Sequence, residues 1–322
     1  MIPRRQFLSL CGAAAASSVA FAAHAQAGAY PTQPVRMVVP YPPGGGSDFL
    51  ARTLSPAMAQ ALGQPVYVEN RPGGGGTVGA AAVTRTFPAD GYTVLLSDSN
   101  PLLTLSYDPL PDLVPVTLAG TFDFVLVVNP QVLGARTVQD IVAAAKSATT
   151  GLDYAAPGVG TTHHMAMELF ARDTGARLVA ISYKGGAPAL QDLLAGQVAL
   201  MFLDRASARQ YIDTGKLRAI GAAGGRRIAS YPALPTIAEQ GVPHFAVDGW
   251  LGLSVRKGTP AAAVQALQKA YQQAIADPAV RARMVEAGIN PAGGSAQQFA
   301  AYRDGYMGKW KKLIADRGLK PE

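Results

Sequence analysis

Two glycine-rich loops hold the residues of this sequence that are best suited to binding chemistry. The first binding loop, residues 41–48, follows the apolar, β-branched run Val35–Val39 and precedes apolar residues at helical spacing. A glycine-rich loop that leads into a helix presents backbone N–H groups at the positive end of the helix dipole. The pattern therefore predicts an anion site, although Asp48 is equally well explained as an acidic residue of the first helical turn.

The second binding loop, residues 158–164, also follows a predicted strand and leads into a predicted helix. Its two histidines, His163 and His164, are adjacent, so on a helix they point about 100° apart and do not share a metal ion. No acidic or histidine partner stands at metal-ligand spacing. We expect no metal site, a helix-start or packing role for the pair, and His163 at the edge of a bound ligand.

Catalytic motifs find little support in the sequence. Ser47 lacks the G-x-S-x-G context of a nucleophile elbow, and the glycine loops lack the Lys-Ser/Thr of a P-loop or a convincing dinucleotide fingerprint. Cys11, the only cysteine, lies in the N-terminal leader, so the rest of the chain has no disulfide and no thiol nucleophile. We predict no catalytic residue and no cofactor.

The elements that position these loops follow from alternating strand and helix patterns, which indicate doubly wound α/β sheets. Apolar strands at 122–129 and 247–255 are candidates for crossovers between two lobes. The predicted division gives residues 28–128 and 248–322 to lobe 1 and residues 129–247 to lobe 2. Because ligands in open α/β sheets sit beyond the carboxyl ends of strands, we expect a hinged cleft between the lobes. Four loops would surround it: residues 41–48, 97–100, 158–164 and 183–187.

Length, composition and charge agree with an exported two-domain protein. The 322 residues are 49% hydrophobic and 15% charged, which is typical of globular chains. The net charge of +7 favours the approach of anions, but no Lys/Arg stripe interleaved with aromatics suggests nucleic acid. Arg4 and Arg5 precede a short apolar run, and small residues before Ala27 fit a cleavage site. We predict a signal peptide over 1–27, with twin-arginine and Sec export left open.

The order and spacing of several motifs resemble the substrate-binding proteins of tripartite tricarboxylate transport systems, also called the Bug family. The resemblance covers nearly the whole chain after the leader, and these runs carry it: Pro40-Tyr41-Pro42-Pro43-Gly44-Gly45 with Asp48, Glu69-Asn70-Arg71-Pro72-Gly73, Tyr154-Ala155-Ala156-Pro157-Gly158-Val159-Gly160-Thr161-Thr162 and Tyr183-Lys184-Gly185. It implies a two-lobed, type II periplasmic-binding-protein-like fold in which a small carboxylate is held between the two binding loops. The contacts that it implies are Tyr41, Pro43, Gly44, Gly45 and Asp48 on one side, with Gly160, Thr161 and Thr162 on the other.

Departures from the family pattern bear on which ligand is bound. Asp98 stands where the family more often has small hydroxyl residues, Asp123 lies within an apolar strand, and Asp204-Arg205 replaces a more usual Asp-Asn pair. We expect Ser97, Asp98 and Asp204 to form the distal wall of the site. The two aspartates could receive an ammonium group, so an amino acid is one candidate ligand. Lys184 is either a solvated loop charge or a contact for the anion, and Asp204 either a ligand contact or a helix cap.

The resemblance implies a periplasmic solute-binding protein that captures a small carboxylated metabolite for membrane transporter components. The candidate ligands are dicarboxylates, tricarboxylates, aromatic carboxylates and amino acids, and we expect a monomer. A periplasmic sensor that presents its ligand to a membrane sensor kinase is the alternative, with an enzyme further behind. Neighbouring genes would discriminate, because two membrane transporter components favour uptake and a sensor kinase alone favours signalling.

Overall fold

The structure, a computed structural model, describes residues 30–99 and 108–318. The predicted leader and most of the segment after the third strand, including residue 100 of a predicted cleft loop, lie outside the described residues. Ten strands are described: β1 (Val35–Val39), β2 (Val66–Asn70), β3 (Thr93–Asp98), β4 (Leu113–Val128), β5 (Leu152–Ala156), β6 (Leu178–Ser182), β7 (Leu200–Asp204), β8 (Arg218–Ala222), β9 (Asp248–Arg256) and β10 (Ile289–Pro291).

Helices fill most of the connections between these strands. They are α1 (Gly46–Leu62), α2 (Thr77–Ala81), α3 (Val138–Ser147), α4 (Thr162–Thr174), α5 (Gly186–Leu194), α6 (Arg205–Asp213), α7 (Ala261–Ala276), α8 (Pro278–Glu286) and α9 (Ala296–Arg317). The helix predicted near 78–86 is divided, because α2 continues into a π-helical turn, Ala82–Thr86.

The sheet order β2-β1-β3-β9-β4-β7-β5-β6 joins two groups of strands through one long strand, β4. The neighbours of β1 run parallel to it, as expected for strands joined by crossover helices. β9 is antiparallel to both β3 and β4. On the other side, β7 and β8 are antiparallel to the end of β4, and β5 is parallel to β6. The fold is the expected two-lobed α/β arrangement with mixed sheets.

The chain passes between the two groups of strands at two adjacent points. β4 pairs with β9 as far as Asp123 and with β7 from Phe124 onward. The chain returns to the first group at 247–248, beside the first crossing. Val247 N–H donates to Ala223 O in the second group, while Asp248 is the register partner of Asp123. The long apolar run 122–129 predicted this crossover, but β4 begins earlier, at Leu113.

Each group of strands has a larger and a smaller hydrophobic core. In the larger core of the first group, Met37 of β1 and Leu54 of α1 are fully buried with Tyr271 of α7. The second core, the larger one of the second group, contains the fully buried Phe202 of β7 and also Trp310 of α9. The predicted division placed all of residues 248–322 in lobe 1, whereas the C-terminal half of α9 packs on the second core.

Two short elements were not delimited from the sequence. α6 was anticipated only as the helix that Asp204 could cap, and its buried residues are few, Arg205 and Ala208. β10 spans three residues, too few for an alternating pattern to be recognised, and is fixed by antiparallel pairing with β4. Across the described ranges, no helix combines the length and apolarity needed to span a bilayer.

Candidate functional site

A cavity of about 750 Å³ opens between the two groups of strands, where both binding loops end. Each binding loop contributes to its wall, and so do the segment 184–188, the start of α6 and the turn before β10. Eight of the predicted site residues line it: Tyr41, Pro43, Gly45, Asp98, Thr161, His163, Lys184 and Asp204.

The first binding loop is braced by a single buried carboxylate, that of Asp48. Its Oδ2 accepts from Gly44 N at 3.0 Å and from Arg52 Nε at 3.0 Å, while its Oδ1 accepts from Asn70 Nδ2 at 2.9 Å. Burial raises the pKa of Asp48, but the hydrogen bonds from Arg52, Gly44 and Asn70 outweigh burial and lower the pKa to about 2. Asp48 is therefore ionised at neutral pH and ties α1 to the end of β2.

This brace leaves the start of α1 open toward the cavity. The N-cap, Gly45, offers no side chain, and the Asp48 carboxylate turns back to Gly44 and does not cap the first helical turn. The first N–H groups of any α-helix lack intrahelical partners. Gly46 and Ser47, whose N–H groups are among these, line the cavity. The geometry is that of an anion site at a helix N-terminus.

The first binding loop is also fixed from behind. Asn70 Nδ2 donates to Tyr41 O at 3.1 Å. In α2, a Cβ on Gly79 would lie 2.8 Å from Pro40 Cα and 2.9 Å from Arg71 O, so only glycine permits this close backbone contact. Residues 70–79 therefore support the loop structurally, as favoured from the sequence for residues 70–76.

Local neutral hydrogen bonds hold the second binding loop. The Thr161 hydroxyl donates to Gly158 O at 2.8 Å and accepts from His164 N at 3.4 Å as the N-cap of α4. Gly160 N, at a residue with a φ of 77°, donates to His164 Nδ1 at 3.3 Å. His164 thus anchors the loop, which agrees with the helix-start role expected for it.

Five predicted site residues do not line the cavity: Gly44, Asp48, Ser97, Gly160 and Thr162. Gly44 and Asp48 bind each other, and Gly160 is buried beneath its loop. The Ser97 hydroxyl donates to Gly252 O at 3.0 Å, so it serves the pairing of β3 with β9. The Thr162 hydroxyl meets Ser99 Oγ at 3.0 Å, a contact that links α4 to the segment after β3.

Several wall residues were not among the predicted contacts. The apolar part of the wall includes Phe122, Met201, Leu203, Leu251 and Ile289. The charged part adds Asp123 and Arg205, which the sequence marked only as departures from the family pattern. Their placement depends on the crossover of β4 and on the contact of α6 with the turn before β10, which no local pattern reveals.

The charged wall contains more carboxylates than permanent cations. Among the residues that the structure describes, Asp98, Asp123 and Asp204 line the cavity together with the cations Lys184 and Arg205. Arg205 Nε lies 3.8 Å from Asp123 Oδ2, and His163 Nε2 lies 3.4 Å from Asp204 Oδ2. No group of three or more metal-ligating side chains occurs within residues 30–99 and 108–318.

Known proteins match this chain over most of its length. A family model described as tripartite tricarboxylate transporter family receptor matches residues 50–319. Protein BugT of Bordetella pertussis is 34% identical over 94% of this chain and 95% of its own.

Solved structures share the fold. Rpa4515 of R. palustris with adipate superposes with a TM-score of 0.81 at 31% identity, covering 91% of this chain and 100% of its own. The periplasmic binding protein BugD superposes with a TM-score of 0.78 at 31% identity, covering 91% of this chain and 100% of its own. MatC of Rhodopseudomonas palustris with bound malate superposes with a TM-score of 0.77 at 28% identity, covering 88% of this chain and 100% of its own.

Proposed function

Because the chain belongs to the tripartite tricarboxylate transporter receptor family, we propose that it is a solute receptor that holds a small carboxylate between its two binding loops. The observation that carries this proposal is the uncapped start of α1, where Gly46 and Ser47 face the cavity while Asp48 is turned away. Two similar structures carry adipate and malate, both small carboxylates.

In the proposed complex, the carboxylate accepts hydrogen bonds from the first N–H groups of α1. It also accepts one across the cavity from the Thr161 hydroxyl, whose proton turns from Gly158 O to the ligand on binding. Waters can bridge the remaining lone pairs. The apolar part of the wall, including Phe122 and Leu251, would cover the carbon skeleton of the ligand. Binding and release need no covalent step, which favours a receptor over an enzyme.

Closure would bring the two binding loops together by rotation about the paired crossings at Asp123 and Asp248. We assign residues 28–128 and 248–322 to one lobe and 129–247 to the other, with the end of α9 packed across the division. A ligand that contacts both lobes binds the closed state preferentially and shifts the population toward it. Membrane transporter components would then recognise the closed form. In this proposal, the receptor is a monomer in the periplasm.

Calorimetry on the ligand-stripped chain from residue 28 onward tests this proposal. The probes are adipate, malate and the other mono-, di- and tricarboxylates of three to eight carbons, each beside its methyl ester. We expect at least one free acid to bind while its ester, which has the same skeleton without the charge, does not. Equal binding of acid and ester, or no binding of any acid, would overturn the carboxylate assignment.

A further inference from the structure

The charged part of the cavity wall is poorly matched to a ligand that carries carboxylates alone. Three aspartates line the cavity against Lys184 and Arg205, and the Lys184 side chain is exposed. A dicarboxylate would add two more negative charges to this wall. Like charges at short range in a partly buried site are unfavourable, so the wall calls for a ligand that also carries a positive charge.

Asp204 is the aspartate whose carboxylate is least used by the protein itself. It occupies the N-cap position of α6, yet its side chain makes no cap hydrogen bond. Among the described residues, its only side-chain partner is His163, at 3.4 Å. The helix-cap explanation that the sequence left open therefore fails, and a half-buried carboxylate faces the cavity.

Arg205, the next residue, is a buried cation with incomplete hydrogen bonding. It lines the cavity at 8% exposure, and its Nε has no hydrogen-bond acceptor among the described residues. The other guanidinium nitrogens donate to Ser230 Oγ at 3.5 Å and Val285 O at 3.4 Å, and Asp123 lies 3.8 Å away. Charge-assisted hydrogen bonds are normally about 2.7–2.9 Å long, so this guanidinium is loosely held.

The wall thus presents acceptors, Asp123 and Asp204, directly beside an underused donor, Arg205. Phe124, the neighbour of Asp123 on β4, is the register partner of Asp204 on β7, which places the two aspartates in adjoining positions. A ligand carboxylate without an amine can accept a hydrogen bond from Arg205, but its negative charge is repelled by the carboxylates of Asp123 and Asp204. An ammonium group together with a carboxylate satisfies both.

We propose that the ligand is an amino acid, whose ammonium group binds Asp204 and Asp123 while a carboxylate oxygen lies toward Arg205. This inference rests on the proposed function, because it names the class of carboxylate that the receptor takes. It assigns a specificity role to the start of α6.

The test is calorimetry with matched probe sets of three to six carbons. Each set contains the alkanoate, the α,ω-diacid, the α-amino acid and the α-amino diacid. We expect an amine-bearing member to bind at least about tenfold more tightly than both amine-free members of its length. Asp204→Asn should remove that advantage while leaving the affinity for amine-free acids unchanged or raised, a result that misfolding cannot mimic.

The far end of α6 supplies a matched control. Arg209 and Asp213 form an exposed ion pair at 3.7 Å, outside the cavity wall. Asp213→Asn removes one carboxylate from the same helix and should change no affinity.

Tighter binding of a diacid or alkanoate than of its amino counterpart would overturn the ammonium site and leave the carboxylate receptor standing. Equal weakening of all probes by Asp204→Asn would also overturn it. Failure of every probe to bind would contradict both proposals.

Discussion

The two binding loops share a plan of strand, glycine turn and helix, but different forces hold them. The first depends on an ionised carboxylate, Asp48, that joins segments as far apart in sequence as Gly44 and Asn70. The second depends on neutral hydrogen bonds between residues no more than four positions apart, centred on Thr161 and His164. One loop is fixed by tertiary structure and the other by its own helix cap.

This difference determines what each loop can contribute to binding. Since Asp48 satisfies Gly44 and leaves the helix start uncapped, the first loop offers backbone donors to an anion. In the second, Thr161 already caps α4, so its side chain must serve the helix and the ligand together. Substitutions should therefore cost more stability in the support of the first loop than in the second.

The largest effect is expected from Asp48→Ala. Removing the buried carboxylate takes one acceptor each from Arg52, Gly44 and Asn70, and losing these three hydrogen bonds costs about 3 kcal/mol of unfolding free energy. Urea denaturation measures the loss, and calorimetry should show that ligand affinity falls with it. In Asp213→Ala, which alters only an exposed ion pair, the change should stay below about 0.5 kcal/mol. Equal losses of unfolding free energy in the two variants would show that the Asp48 carboxylate does not hold the first binding loop in place.

A smaller loss is expected from Gly79→Ala. The added methyl group would press on Pro40 Cα and Arg71 O, both backbone atoms that cannot rotate away, at a cost of about 2 kcal/mol. The displaced loop should also bind ligand more weakly. Gly305→Ala in α9, where a Cβ meets open space, should instead stabilise the protein by about 0.5–1 kcal/mol. A neutral result for Gly79→Ala in urea denaturation would show that α2 does not support the loop.

The second loop should respond more weakly to Thr161→Ala. Loss of the N-cap hydroxyl costs about 1 kcal/mol of unfolding free energy, and the same change removes a proposed ligand donor. Thr161→Ser keeps the hydroxyl and should restore both stability and affinity. If serine fails to restore affinity, the methyl group of Thr161 rather than its hydroxyl contacts the ligand.

The last prediction concerns pH, and no effect is expected near neutrality. Because the pKa of Asp48 is lowered to about 2, its charged form stabilises the folded state above the ordinary value of 3.8. That contribution is constant near neutral pH and is lost as the pH falls from about 4 toward 2. Urea denaturation of the wild type and Asp48→Asn over this range should show a steeper decline in the wild type. Parallel curves would contradict an ionised brace.

Much of the fold was readable from the sequence because its signals are local. Apolar β-branched runs predicted β1 and β3, and glycine turns followed by helical spacing predicted α1 and α4. The same signals located both binding loops. The two apolar crossover strands predicted the two-lobed arrangement, the family resemblance implied the same fold, and the solved relatives confirm it.

The roles of individual side chains were harder to predict, because each carboxylate had two plausible partners in sequence. Asp48 was weighed as a ligand contact or a first-turn acid; it does lie in the first turn of α1, and its carboxylate also bridges to β2. Asp123 and Arg205 become neighbours in the cavity wall only because β4 crosses between the groups of strands and α6 packs beside it. No local sequence pattern predicts that contact. Tertiary placement, rather than residue type, decides such roles.

The molecule held in the cavity tests the carboxylate receptor most directly, and mass spectrometry of the small molecule released from natively purified protein identifies it. Wild type and Thr161→Ala should be compared at equal protein concentration. We expect a small carboxylic acid that is present in the wild type and depleted in the variant. A neutral compound without a carboxyl group, retained equally by both proteins, would contradict it.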